Sequence, residues 1–165
     1  MPLVVSSLAA ALEAAFLSHP GSAAISASDM AKAYDDYCKA GLAGGIPPLL
    51  LPAGKSALEG VLLGAIASGQ GTPAQIAGAW SSGIQAYWMT PPVVFTAPPI
   101  TGVVTAIPGA AAVTGVVIGV LSNVKNTAAT AAQGIAAALD VATKTVLVTF
   151  ATPPPPALPP PAMVI

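Results

Sequence analysis

Asp29, Lys32, Asp35, Asp36 and Lys39 form the one dense cluster of charge in this sequence, with His19 and Cys38 the single histidine and single cysteine nearby. Carboxylates beside an imidazole are the residue types of a metal site or an acid–base pair. Zinc asks for about three or four convergent ligands, rich in His and Cys, and this chain has too few of either. At helical spacing Lys32 and Asp36, and Asp35 and Lys39, stand four residues apart, where opposite charges pair along one helix face. The expectation is therefore a solvated, ion-paired face with no metal. His19, before Pro20 and Gly21, reads as a turn residue.

The stretch Leu49 to Ser56, LLLPAGKS, resembles a phosphate-binding loop at its Gly54-Lys55-Ser56 end. That loop needs a further glycine at position 49, so that successive amides can cradle a phosphate, and Leu49 stands there. No nucleotide and no other cofactor is expected. Trp80, Ile84 and Trp88, with Tyr87 beside them, are the main aromatic concentration. A ligand platform would use such residues, but spacing of four on an apolar face reads as a core stripe. No set of acid, base and nucleophile converges, so no catalytic residue is named and no enzyme is expected.

The elements that would position these residues follow from an internal repeat. Residues 54–99 align without a gap on residues 109–154. Gly54, Gly60 and Gly64 meet Gly109, Gly115 and Gly119, and Leu58, Leu62 and Ile66 meet Val113, Val117 and Leu121. A looser first copy carries Leu8, Leu12 and Phe16 at the same spacing, with Met30, Tyr34 and Cys38 echoing Ile76, Trp80 and Ile84. Each copy reads as helix, polar turn, helix and extended apolar run. Ser26 or Ser28, Thr72 before Pro73, and Thr127 are expected to cap the second helices. The predicted fold is mainly α: three tandem helix-turn-helix units, about 1–53, 54–108 and 109–152, each followed by a short extended or β segment. A proline-rich arm, 153–165, follows that single domain. Its PPPPALPPPAMVI sequence favours polyproline II.

Charged residues are 7% of the chain and hydrophobic ones 55%, against about a quarter charged in ordinary soluble domains. Gly60 to Val124 carries no Asp, Glu, Lys, Arg or His, and there is no arginine anywhere. Nucleic acid is excluded as the main partner, because phosphate binding needs clustered Lys and Arg. The N-terminal stretch MPLVVSSLAAALEAAF lacks a basic leader and is interrupted by Glu13, so it does not read as a secretion signal.

An apolar, charge-poor surface is expected to be covered by other subunits. Trp88, Met89, Val93, Phe95, Val148 and Phe150, with Leu158, Met163 and Ile165 of the arm, are the interface candidates. Gly60, Gly64, Gly115 and Gly119 form two small-xxx-small motifs expected to pack helices closely. In a bilayer the same motifs would associate, which gives the alternative of a membrane-associated or exported surface protein. The helices fall short of the ~20 residues a span needs.

The Ala-rich helices, GTPAQIAGAW, AYWMTPPVVF and the proline-rich arm resemble small structural proteins of tailed bacteriophages and related contractile particles. That resemblance implies a non-enzymatic virion subunit, assembled in the host cytoplasm and partnered by copies of itself or other subunits. A neck or head–tail adaptor, or a minor virion protein, is the role it implies.

Overall fold

A computed structural model describes residues 3–18, 21–41, 48–49, 52–68, 71–89, 93–96, 99–150 and 162–163, with backbone alone at 48–49, 52–53, 93–96, 99–101, 150 and 162–163. The chain is mainly helical, with a small sheet. In order it forms α1 (Val5–Leu17), α2 (Ala23–Lys39), β1 (Pro48–Leu49), α3 (Pro52–Ala67), α4 (Pro73–Met89), β2 (Val93–Thr96), β3 (Pro99–Ala106), α5 (Ala110–Ser122), α6 (Ala128–Lys144), β4 (Leu147–Phe150) and β5 (Ala162–Met163).

Each helix packs on its sequence neighbour, and α6 packs back on α1, so the six close into a ring. The even helices lie inside. Ala27, Ala31, Tyr34 and Cys38 of α2, Ala77, Trp80, Ile84 and Trp88 of α4, and Ala132, Ile135, Leu139 and Thr143 of α6 are all buried. The odd helices lie outside and bury one narrow stripe each: Leu8 and Leu12, Leu58 and Leu62, Val113 and Val117. A stripe at spacing four covers a single helix face. The expected core stripe Trp80–Ile84–Trp88 is observed.

The even helices are 17 residues each, starting at Ala23, Pro73 and Ala128. These starts correct the sequence correspondence in the first copy. Met30 lies at the position of Trp80, and Tyr34 at that of Ile84, one helical turn from the pairing of Tyr34 with Trp80. A slip of four residues keeps every apolar side chain on the same face, so periodicity alone cannot detect it. The starts also correct the caps of α2. Ser26 and Ser28 lie inside the helix, and Ser22 is its cap position, without a side-chain cap bond. The other caps form as expected. Thr72 accepts from the Gln75 amide at 3.3 Å while Gln75 accepts from the Thr72 amide at 3.1 Å, a reciprocal box. Thr127 accepts from the Thr130 amide at 3.2 Å.

The strands form one antiparallel sheet in chain order, β1 to β5. The extended runs expected after each helix pair are β1, β2 and β4. β3 is absent from the sequence reading. It pairs with both β2 and β4, with a bulge between Val104 and Ala106. The arm is not wholly separate: Ala162 and Met163 pair with Val148 and Leu147. Residues 153–161 lie outside the described residues. Among the described residues no helix is long and apolar enough to cross a membrane.

Candidate functional site: a buried tyrosine–aspartate cluster and an apolar outer groove

The chemistry-bearing side chains meet near the C-terminal ends of α2, α4 and α6. Thr143 Oγ1 donates to the Leu139 carbonyl at 2.8 Å, so its bond with Tyr34 at 2.8 Å takes the tyrosine proton. Tyr34 Oη in turn accepts from Trp88 Nε1 at 2.9 Å. One directed chain, indole to phenol to threonine to carbonyl, thus ties all three inner helices. Beside it Tyr87 donates to Asp35 at 2.9 Å, and Asp35 is bound by Lys39 at 2.6 Å. Tyr37 donates to Asp140, which Lys144 binds at 2.8 Å. The rings stack edge to face, Tyr34 on Tyr87 and Tyr87 on Trp88, both with centroids 5.2 Å apart. That geometry is favourable for aromatic quadrupoles.

Asp35 corrects the expectation of a fully solvated charge face. Lys32 and Asp36 are exposed and paired as expected. Asp35 is 3% exposed and serves the interior, with the half-exposed Lys39 reaching over it from the surface. A buried carboxylate is tolerated only when its oxygens are bonded, and both of these are. The signal was present in the sequence: Asp35 and Lys39 recur as Asp140 and Lys144 in the same helix positions, and Tyr37 recurs as Tyr87.

Burial pushes the Tyr34, Tyr87 and Cys38 groups up, well above their ordinary values. A nucleophile or general base requires the opposite shift. Among the described residues no group of three His, Cys, Asp or Glu is placed to hold a metal, and no buried side-chain polar atom lacks a partner. The bonds of this cluster join α2, α4 and α6 and fix their relative positions. Tyr34→Phe is expected to cost about 1–3 kcal/mol, because it strands the buried Trp88 N–H. Chemical denaturation of the variant against the parent checks this, and a loss below about 0.5 kcal/mol would contradict it.

The outer surface is different. Ala111, Ala112, Gly115, Val116 and Gly119 of α5 are exposed, as are Ala137 and Val141 of α6. Ala112, Val116, Ala137, Ala138 and Val141 line an apolar groove between these helices. Val124, 96% exposed, stands at the α5–α6 turn, and Val5 is exposed at the start of α1.

No family model, curated protein or solved structure matches this chain.

The sequence candidates separate in three dimensions. Trp88 is a core residue, 3% exposed, whose indole is used internally, and Val148 is fully buried, so neither is a free contact surface. Both were drawn inward by the sheet and aromatic cluster, which apolarity in sequence does not distinguish from an interface. Met89, 59% exposed, remains on the surface. Val93, Phe95 and Phe150 lie in β2 and β4, and Met163 in β5, but their side chains are outside the described residues, as are Leu158 and Ile165 entirely.

Gly60, Gly64, Gly115 and Gly119 also differ from expectation. All four face outward, and a Cβ at any of them would meet nothing within 4 Å. Among the described residues they do not pack helices together. The glycines that do are Gly83, where a Cβ would lie 2.5 Å from Leu58, and Gly134, 2.6 Å from Val120. Gly54 and Gly109 likewise meet backbone atoms of Tyr87 and Ala142. The glycine of the loop-like Gly54-Lys55-Ser56 therefore has a packing role, inside the first turns of α3.

Proposed function

We propose that this protein is a non-enzymatic structural subunit of a viral particle, of the tailed-phage type, acting through subunit packing and docking of its arm. A neck or head–tail adaptor, or a minor virion protein, is the role proposed. On this reading three tandem helical hairpins are wound into the ring, each contributing an inner and an outer helix. The observation that carries the proposal is the apolar groove between α5 and α6, lined by Ala112, Val116, Ala137, Ala138 and Val141. The outward Gly115 and Gly119 belong to the same outer side of α5, and the exposed row of α6 carries Ala137 and Val141 before it reaches Lys144, which pairs with Asp140. Large exposed apolar patches mark interaction surfaces, and glycine on an outward helix face lets a partner backbone approach closely. The inert state of the buried cluster supports a structural rather than a chemical role.

Light-scattering mass on protein expressed without detergent tests this. A defined oligomer, or a mass that grows with concentration, is the expected result. A monomer at every concentration would overturn it, and recovery only from membranes by detergent would favour the membrane-associated alternative. Deleting Pro153–Ile165 is expected to leave the helical circular-dichroism signal within about a tenth of the parent, since the ring is built by residues before it. The same deletion is expected to impair incorporation into particles. Wild-type incorporation of the truncated chain would remove the arm from the mechanism.

A further inference from the structure

The pairing of β5 on β4 points to a specific mode of assembly. Leu147 pairs with Met163 and Val148 with Ala162, so the arm covers the outer edge of β4. Adjacent antiparallel strands are ordinarily joined by about two to five residues. Here residues 151–161 intervene, and seven of these eleven are proline. Proline has no amide to donate, so those positions cannot extend the ladder. A proline-rich stretch spans about 3 Å per residue, which gives these eleven a reach of roughly 30 Å. The neighbouring strand position is only about 5 Å away. The connection has more residues than a hairpin needs, and a proline-rich sequence of this length is sufficient to reach another copy.

We propose that β5 exchanges between copies, the C-terminal strand of one chain pairing with β4 of the next. The occupant of the β4 edge is then the same segment from a second copy. Every backbone pair is retained, as in domain swapping generally. Among the described residues two backbone pairs join the arm to β4, a short ladder to release, and concentration decides between the closed and exchanged forms. The exchanged arm either closes a dimer reciprocally or links copies head to tail. This inference rests on the subunit reading and names its contact.

Two full-length variants, Leu147→Cys and Met163→Cys, are mixed at high concentration and mildly oxidised. The native Cys38 is buried and its thiol is held protonated, so it stays out of the exchange in folded protein. Each variant alone lacks the partner thiol, so a disulfide joining 147 to 163 in the mixture can only cross between chains. Exchange predicts a covalent heterodimer of twice the chain mass, absent from either variant alone and increasing with concentration. The double variant Leu147→Cys/Met163→Cys is oxidised in parallel and its mass taken by light scattering before oxidation. Heterodimers in the mixture, with a ladder from the double variant, support exchange. A double variant that locks only within its own chain, with no heterodimer in the mixture, overturns it. If that protein is nevertheless oligomeric, exchange alone has failed. If it is monomeric, the subunit reading fails with it. No disulfide in either experiment also overturns the proposal, since β5 would then pair with β4 in no chain.

Discussion

Raising the pH past the ordinary tyrosine range will unfold this protein in one cooperative step. Tyr34, Tyr37, Tyr87 and Cys38 are buried, and burial holds their protons on in the folded state beyond the ordinary values of 10.0 for the phenols and 9.0 for the thiol. The sign follows from proton linkage. Below about pH 9 both folded and unfolded chains keep these protons, and the contribution to stability is complete. Above it the unfolded chain releases protons that the folded chain retains. Stability then falls with pH, by about 1.4 kcal/mol per pH unit for each group, or roughly 5–6 kcal/mol per unit once all four have titrated in the unfolded state. With total stabilities of about 5–15 kcal/mol in proteins generally, one or two pH units are enough. Urea midpoints measured from neutral to strongly alkaline pH, with tyrosinate absorbance recorded on the same samples, check this. Tyrosinate is expected to appear together with loss of helix. Gradual titration of all three tyrosines with the helical signal intact would show that the cluster is open to solvent.

Alanine will have opposite effects at two sets of glycines that look alike in sequence. Gly54→Ala places a Cβ 2.6 Å from the Tyr87 carbonyl oxygen, and Gly109→Ala places one 2.7 Å from Ala142 Cα. Both obstacles are backbone, so a helix pair must separate. Gly109 additionally donates its amide to Thr145 Oγ1 at 2.9 Å, a bond that the same Cβ would crowd. Each substitution is expected to cost about 1–3 kcal/mol, the usual cost of overpacking. Gly60, Gly64, Gly115 and Gly119 stand in mid-helix with open space around them. There alanine recovers roughly 0.5–1 kcal/mol of helix propensity per site, and the four together about 2–4 kcal/mol. Thermal or urea denaturation of the dilute chain checks both signs. If the quadruple variant is more stable but no longer assembles, the outward glycines belong to a subunit contact. Destabilisation by the quadruple variant would show instead that they serve the fold within the chain.

The first set is visible in the sequence as a pattern, because Gly54 aligns with Gly109, while their neighbours Tyr87 and Ala142 emerge only in three dimensions. The second set was equally visible as a pattern, but its direction was not. A small-xxx-small motif states that something can approach closely and leaves open from which side. Which side faces inward depends on how neighbouring helices wrap. Asp35 shows the same limit. Its spacing from Lys39 was read correctly as a helical ion pair, while its burial came from Tyr87, which lies 52 residues further along the chain and reaches it only in three dimensions.

Apolar spacing determined the helices and the buried stripes, and Thr72 and Thr127 determined two of the three inner-helix caps, because helix periodicity and capping are local and act over about four residues. Alignment of residues 54–99 on 109–154 added the expectation that similar helix pairs follow one another. Tertiary structure decided the closure of α6 on α1, the sheet with its unforeseen β3, the inward turn of Trp88 and Val148, and the return of β5 to β4. These depend on contacts between residues far apart in sequence. One turn of slippage along a helix leaves its apolar pattern unchanged, so the register is selected by specific contacts such as Trp88 and Thr143 on Tyr34. Packing is dense and intolerant of misfit, and that is what converts a repeating pattern into one arrangement.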